Sequence, residues 1–167
     1  MAENSRPTMG SEKIKSFFID HLNRLYCAKS HLGERLPEIH DEAAFADLKQ
    51  AIKETIISTE RQLARIEKIF AIMNIKYSFE KCQVLISFLE TQFASLQLHA
   101  TEPEFRDLAI VTYLYQLDSV ELASSNILQV AVNNIQDQQI KLLTNEHYSE
   151  AKADNALLLL LLKKTAR

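Results

Sequence analysis

Glycine and proline are scarce: the 167 residues hold two glycines and three prolines. Average usage, about 7% Gly and 5% Pro, would give roughly 20 in such a length. Tight turns and phosphate-cradling loops need Gly for positive φ and Pro for a fixed φ. The deficit argues against a many-stranded sandwich, barrel or propeller. No G-x-G and no G-x-x-x-x-G-K occurs, which argues against a glycine-rich nucleotide fold. A surplus of one charge sign is missing too. Nineteen basic and 22 acidic side chains leave a net charge of −3, so nothing makes an electrostatic case for nucleic acid. The densest basic cluster, Lys163, Lys164 and Arg167, has no aromatic interleaving and reads as a solvated tail.

Cysteine is limited to Cys27 and Cys82, with no C-x-x-C. Spacing alone leaves a disulfide open, but nothing else suggests a secreted chain. They read as buried free thiols. Long apolar runs are missing as well. The longest, Ala156 to Leu162, has seven residues including six consecutive leucines, whereas a membrane span needs about 20. It reads as a helix end that is apolar all round and buried on more than one side. Residues 1–10 carry no apolar signal-peptide core and read as a flexible leader. The expectation is a soluble, cytoplasmic chain with one domain over residues 11–165, no membrane contact and no nucleic-acid partner.

What is present is helical periodicity. Ile14, Phe17, Phe18, Leu22, Leu25, Tyr26 and Leu32 fall at steps of 3 and 4. Ser11 is the predicted N-cap, and Gly33 and Pro37 are predicted to loosen the helix end. A second stripe, Phe45, Leu48, Ile52, Ile56, Leu63, Ile66, Phe70 and Met73, predicts a helix over about 41–74. Thr59 takes one stripe position, and Asn74 suits a left-handed C-terminal residue. A third segment covers about 78–98. A fourth starts after Thr101-Glu-Pro-Glu104, with Thr101 as predicted N-cap, and runs to about Asn134. A fifth covers about 136–164. No period-2 run of strand-forming residues appears. Long helices with short connections predict an all-α antiparallel four-helix bundle with one additional shorter helix.

Chemical motifs are sparse. There is no H-E-x-x-H, no clean E-x-x-H and no G-x-S-x-G. The five histidines, His21, His31, His40, His99 and His147, are scattered over helix ends and faces. Asp118 and Glu121 share a face of the fourth helix, and Leu114 and Leu117 bring that face close to the core. Carboxylates near a core need a metal or an ion-pair partner. Lys29 is a candidate partner.

Several motifs in common order resemble the bacterial YciE/YciF ferritin-like family. Leu25-Tyr-Cys-Ala-Lys-Ser-His-Leu32 with Leu36-Pro37 is similar to L-Y-D-A-E-x-Q-L and L-P. Thr59-Glu-Arg-Gln-Leu-Ala-Arg-Ile-Glu67 resembles T-x-x-Q-I-x-R-L-E. Lys81-Cys82 matches K-C, Phe105-Arg-Asp-Leu-Ala109 resembles V-R-D-A-A, and Asp118-Ser-Val-Glu-Leu-Ala123 resembles E-H-Y-E-I-A. The resemblance implies a stress-associated, ferritin-like four-helix bundle that pairs as a homodimer. Such bundles hold two metals with inward Glu and Glu/His pairs. Here the ligand positions have changed. Lys29 stands at the family's helix-one Glu, and Thr55-Ile-Ile-Ser-Thr59 replaces H-L-E-E-T. Ile86 takes the place of the M-E-G-L acid. Ser119 replaces the His of E-H-Y-E, and Asp118 shortens its first Glu. Glu90, Glu121 and Glu150 stay acidic.

Too few donors remain, and Lys29 repels metals. Lys29 is expected to pair with Asp118 or Glu121 in a vestigial, structural site, with no metal, no cofactor and no catalytic residue. The leading reading is a noncatalytic protein that acts through homodimerisation, or through an unidentified protein partner, with part of the leucine run as interface. The alternative is a di-iron or di-manganese oxidase or peroxide scavenger using Asp118, Glu121, Glu150 and Glu90.

Overall fold

The computed structural model describes residues 10–96 and 101–167; the leader, His99 and the expected end of the third segment near Leu98 lie at least partly outside them. All regular structure among the described residues is helical. The order is α1 (Ser11–Glu42), α2 (Ala46–Ile72), a 3-10 turn (Glu80–Cys82), α3 (Gln83–Ala94), α4 (Pro103–Val132) and α5 (Gln138–Thr165). Helix α1 packs on α2 and α4, α5 packs mostly on α4, and α2 touches α5 more lightly. Neighbours run antiparallel. The long crossover through α3 makes α2 and α4 parallel, as in the one-crossover ferritin-like arrangement.

Two apolar clusters fill the bundle. One gathers Phe18, Leu22, Leu25, Ile66, Ile69, Phe70, Leu128, Val132 and Ile140. The other gathers Leu32, Leu36, Ile39, Leu48, Ile52, Leu89, Ile110, Leu114 and Leu117. Each follows the 3- and 4-residue stripes of its helices.

Several local expectations need correction. Helix α1 runs through Gly33 and Pro37 to Glu42. The carbonyl that Pro37 leaves unbonded belongs to Gly33, whose backbone is permissive. Leu36 and Ile39, both essentially inaccessible, hold the last turns by packing. Asp41 therefore ends α1 instead of opening α2. The connection between them is set by Asp107 on α4, whose carboxylate accepts the Ala44 N–H at 2.6 Å and the Phe45 N–H at 2.9 Å. Ser11 and Thr101 are not the caps. Gly10 and Glu102 occupy those positions without side-chain capping bonds, and Pro103 takes the first turn of α4, where its missing N–H costs nothing. The α5 cap is Asp137, which accepts from the Gln139 and Ile140 amides at 2.8 and 3.0 Å. Asn74 has φ 53°, the left-handed geometry its sequence position suggests.

The leucine run also differs from expectation. None of its six leucines is fully buried. Leu157 and Leu160 are more than 60% exposed, while Leu158, Leu161 and Leu162 pack partly against the core.

Candidate functional site

Between the two apolar clusters lies a polar layer. It arises because each helix keeps its inward stripe but places polar residues on it. Helix α1 supplies Lys29, and α2 supplies Thr59 and Gln62. Asp118, Glu121 and Ser125 come from α4, and Thr144 and His147 from α5. All eight are at most 5% exposed. Their spacings of 3 and 4 stack them on single helix faces.

The Lys29 ammonium contacts Glu121 Oε2 in a fully buried ion pair. Burial raises the Glu121 pKa, and the Lys29 charge opposes that rise. Asp118 sits one turn earlier on α4. Burial pushes its pKa up to about 7, and the Glu121 charge adds to the shift. Its Oδ2 has no hydrogen-bond partner. Burial holds His147 down to about 3, with Lys29 and then Arg65 adding to the effect. Neither His147 ring nitrogen, nor Ser125 Oγ, nor Thr144 Oγ1 finds a partner. These three residues line a cavity of about 10 Å³ with Leu22, Leu25, Ile66, Ile69 and Leu128.

The sequence-derived positions separate in space. Lys29, Thr55 and Asp118 line one cleft, and Glu121 joins it through Lys29. Ser119 turns its hydroxyl to the Tyr115 carbonyl at 2.7 Å and accepts from Asn155 Nδ2 at 3.2 Å. Ile86 is half-buried on α3 and is not among the cleft-lining residues. Glu150 is claimed by Arg65, at 2.8 and 2.9 Å, which brings its pKa down to about 2. Glu90 is held by Arg35 at 2.8 Å and His31 Nδ1 at 3.1 Å. His147, Gln62, Ser125, Thr144 and Asp154 were not singled out as site residues from sequence. Their signal was a polar side chain at an apolar-stripe position, as with Thr59 between Ile52 and Ile66.

The donor set does not fit a two-metal centre. Such a centre needs several carboxylates and imidazoles converging on about four positive charges. Here a lysine charge already occupies Glu121, and arginines hold Glu90 and Glu150. Among the described residues, no three His, Cys, Asp or Glu side chains are grouped to hold an ion.

The cleft opens where α2 and α5 separate. Its volume is about 610 Å³, and Leu32, Ala51, Ile57, Leu114, Leu157, Leu158 and Leu161 line it together with Lys29, Thr59, Asp118 and Asp154. Gln62 Nε2 donates to Asp154 Oδ2 at 2.8 Å, tying α2 to α5 at the polar end. Lys164 reaches Asp47 at 2.7 Å across the other end. No described helix is long and apolar enough to cross a membrane.

No curated protein sequence matches the chain. Solved structures share its fold, two of them over nearly the whole chain. The stress protein YciF of E. coli superposes with a TM-score of 0.81 at 23% identity, over 92% of this chain and 96% of that one. YcfI of Rhodopseudomonas palustris gives 0.77 at 22% identity, over 93% and 97%. The architecture is thus that of the ferritin-like helical bundles. The family model described as "Domain of unknown function (DUF892)" matches residues 13–167, and the chain therefore belongs to this YciF-like family.

Proposed function

We propose that the chain is a noncatalytic, stress-associated member of its family that acts in the cytoplasm through association, with its di-metal site converted to a structural ion pair. The observation that carries this reading is Lys29 against Glu121 in the buried layer. An ammonium there supplies the positive charge that the carboxylate would otherwise need from a metal. The stress association rests on likeness to E. coli YciF, and the cytoplasmic placement on two buried free thiols. Homodimerisation rests on Leu157 and Leu160, which leave a contiguous apolar rim in one chain. Metal analysis of protein purified without chelator is expected to find far less than one iron or manganese per chain. About two per chain would overturn the reading and favour the oxidase. Light scattering at micromolar protein is expected to give a dimer mass, reduced to the monomer mass by Leu157→Glu/Leu160→Glu.

A further inference from the structure

We infer that the cleft between α2 and α5 is a binding site for an amphiphile with a cationic head, a long-chain alkylammonium in chemical class. The alkyl chain would lie along Ile57, Leu158 and Leu161. The ammonium would sit against Asp118 and Asp154 at the polar end.

The dimensions suit such a guest. A cavity of about 610 Å³ falls within the roughly 300–1,000 Å³ of small-molecule sites. From Asp154 to Lys164, α5 advances ten residues, or about 15 Å, which suits a medium-length alkyl group laid end to end. The middle is apolar, one end carries the buried carboxyl groups and the other is closed by the exposed Lys164–Asp47 pair, so the cleft has a direction that an amphiphile can match.

Charge decides the head group. At the polar end stand three carboxyl groups, Asp118, Glu121 and Asp154, and one buried ammonium, Lys29. Each cation that lines the cleft already has a carboxylate partner, Lys29 with Glu121, Arg61 with Glu150 and Lys164 with Asp47, so an incoming anion would have to compete for it. Asp118 Oδ2 is buried without a hydrogen-bond partner although its side chain lines the cleft. Such an oxygen carries a desolvation cost that a bound N–H donor would relieve. A cation brings both the donor and the missing charge. Burial, with the Glu121 charge adding to it, raises the Asp118 pKa and marks a carboxyl group short of a compensating partner.

The inference shares with the reading above the Lys29–Glu121 pair and the leucines at the cleft mouth. The rim leucines that would meet a second copy are Leu157 and Leu160. The cleft interior belongs to Leu158, Leu161 and Asp118. Metal content and molar mass measured on the same preparation separate failure of one reading from failure of the other.

The test is calorimetric titration of the full chain at pH 8 with dodecylammonium, and in parallel with dodecanoate, both below their micelle-forming concentrations. Saturable binding of one dodecylammonium per chain is expected, at least about tenfold tighter than dodecanoate. Asp118→Asn should weaken dodecylammonium by about tenfold and leave dodecanoate no weaker. Leu158→Glu should abolish dodecanoate binding. Circular dichroism checks that each variant is folded, and the two head groups compared on the unmodified chain need no variant. Equal affinities would show an apolar groove without head-group selection and overturn the proposal. Tighter dodecanoate would overturn it too. So would no saturable binding, the result expected if a second copy fills the cleft.

Discussion

At one end of the bundle Phe18, Leu22, Ile66, Phe70, Leu128 and Ile140 close around one another. Tyr26 extends that end outward, with its ring 5.8 Å from Phe70 and 4.2 Å from Tyr77. At the other end the helices are as apolar, yet α2 and α5 part and a cleft remains. Composition does not separate the two ends; side-chain arrangement does. At the closed end, large residues from four helices meet at one level. At the open end, α5 offers six consecutive leucines, which a helix distributes all round its axis. Only some of them can face the core, and α2 turns Thr55 and Ser58 toward the gap. A run without periodicity cannot seal a face as a stripe can.

The layer between the ends should be the most sensitive to change. Lys29→Met leaves Glu121 buried without a partner and should cost about 3–5 kcal/mol in urea unfolding. The double change Lys29→Met with Glu121→Leu should recover most of that loss. A double variant as unstable as the single one would show that the pair is not the source.

Truncation should then separate the two ends. Phe18→Ala at the closed end should cost about 3–5 kcal/mol by lost burial and a cavity. Leu157→Ala, at the rim of the open end, should stay within about 0.5 kcal/mol in the monomer. Equal losses would mean that the cleft is as well packed as the closed end.

The layer should also shape stability against pH, through two opposing groups. Asp118 has its pKa raised from 3.8 to about 7. Its folded state holds a proton that the unfolded chain gives up, so it lowers stability as pH rises from about 4 to 7. His147 has its pKa lowered from 6.5 to about 3. The unfolded chain takes up a proton that the folded state refuses, so stability falls as pH drops from 6.5 to about 3. Between pH 4 and 6.5 the two slopes oppose each other, and the raised pKa of buried Glu121 acts on the Asp118 side. Asp118→Asn should tilt the profile toward a stability that climbs with pH across this window. His147→Gln should tilt it toward one that declines. Melting temperatures at half-unit pH steps check both signs, and a slope unchanged in each variant would rule out the two titrations.

A modest effect is expected at the α5 start. Asp137→Ala removes a cap that accepts two amides and should cost about 1 kcal/mol.

Much of this was legible in the chain. The stripes located the helices, and Asn74 marked the end of α2 through a conformation few other residues accept. Lys29 was legible as an ion-pair partner, because carboxylates near a core need a positive charge beside them. Other features were not legible. Pro37 looked like a helix end, yet burial of Leu36 and Ile39 outweighed its local cost. Asp107 looked like one residue of a resemblance motif. Its role at Ala44 and Phe45 depends on a contact more than 60 residues away.

By itself, then, the sequence determined the helices, their amphipathic faces and the kinds of group each would bury. Local spacing encodes those, since a helix repeats every 3.6 residues. Only the tertiary structure decided which groups meet. Lys29 took Glu121 and not Asp118, Arg65 and Arg35 drew Glu150 and Glu90 away, and α2 and α5 stood apart over the leucines. Those outcomes depend on distances between helices, which no spacing along one chain specifies.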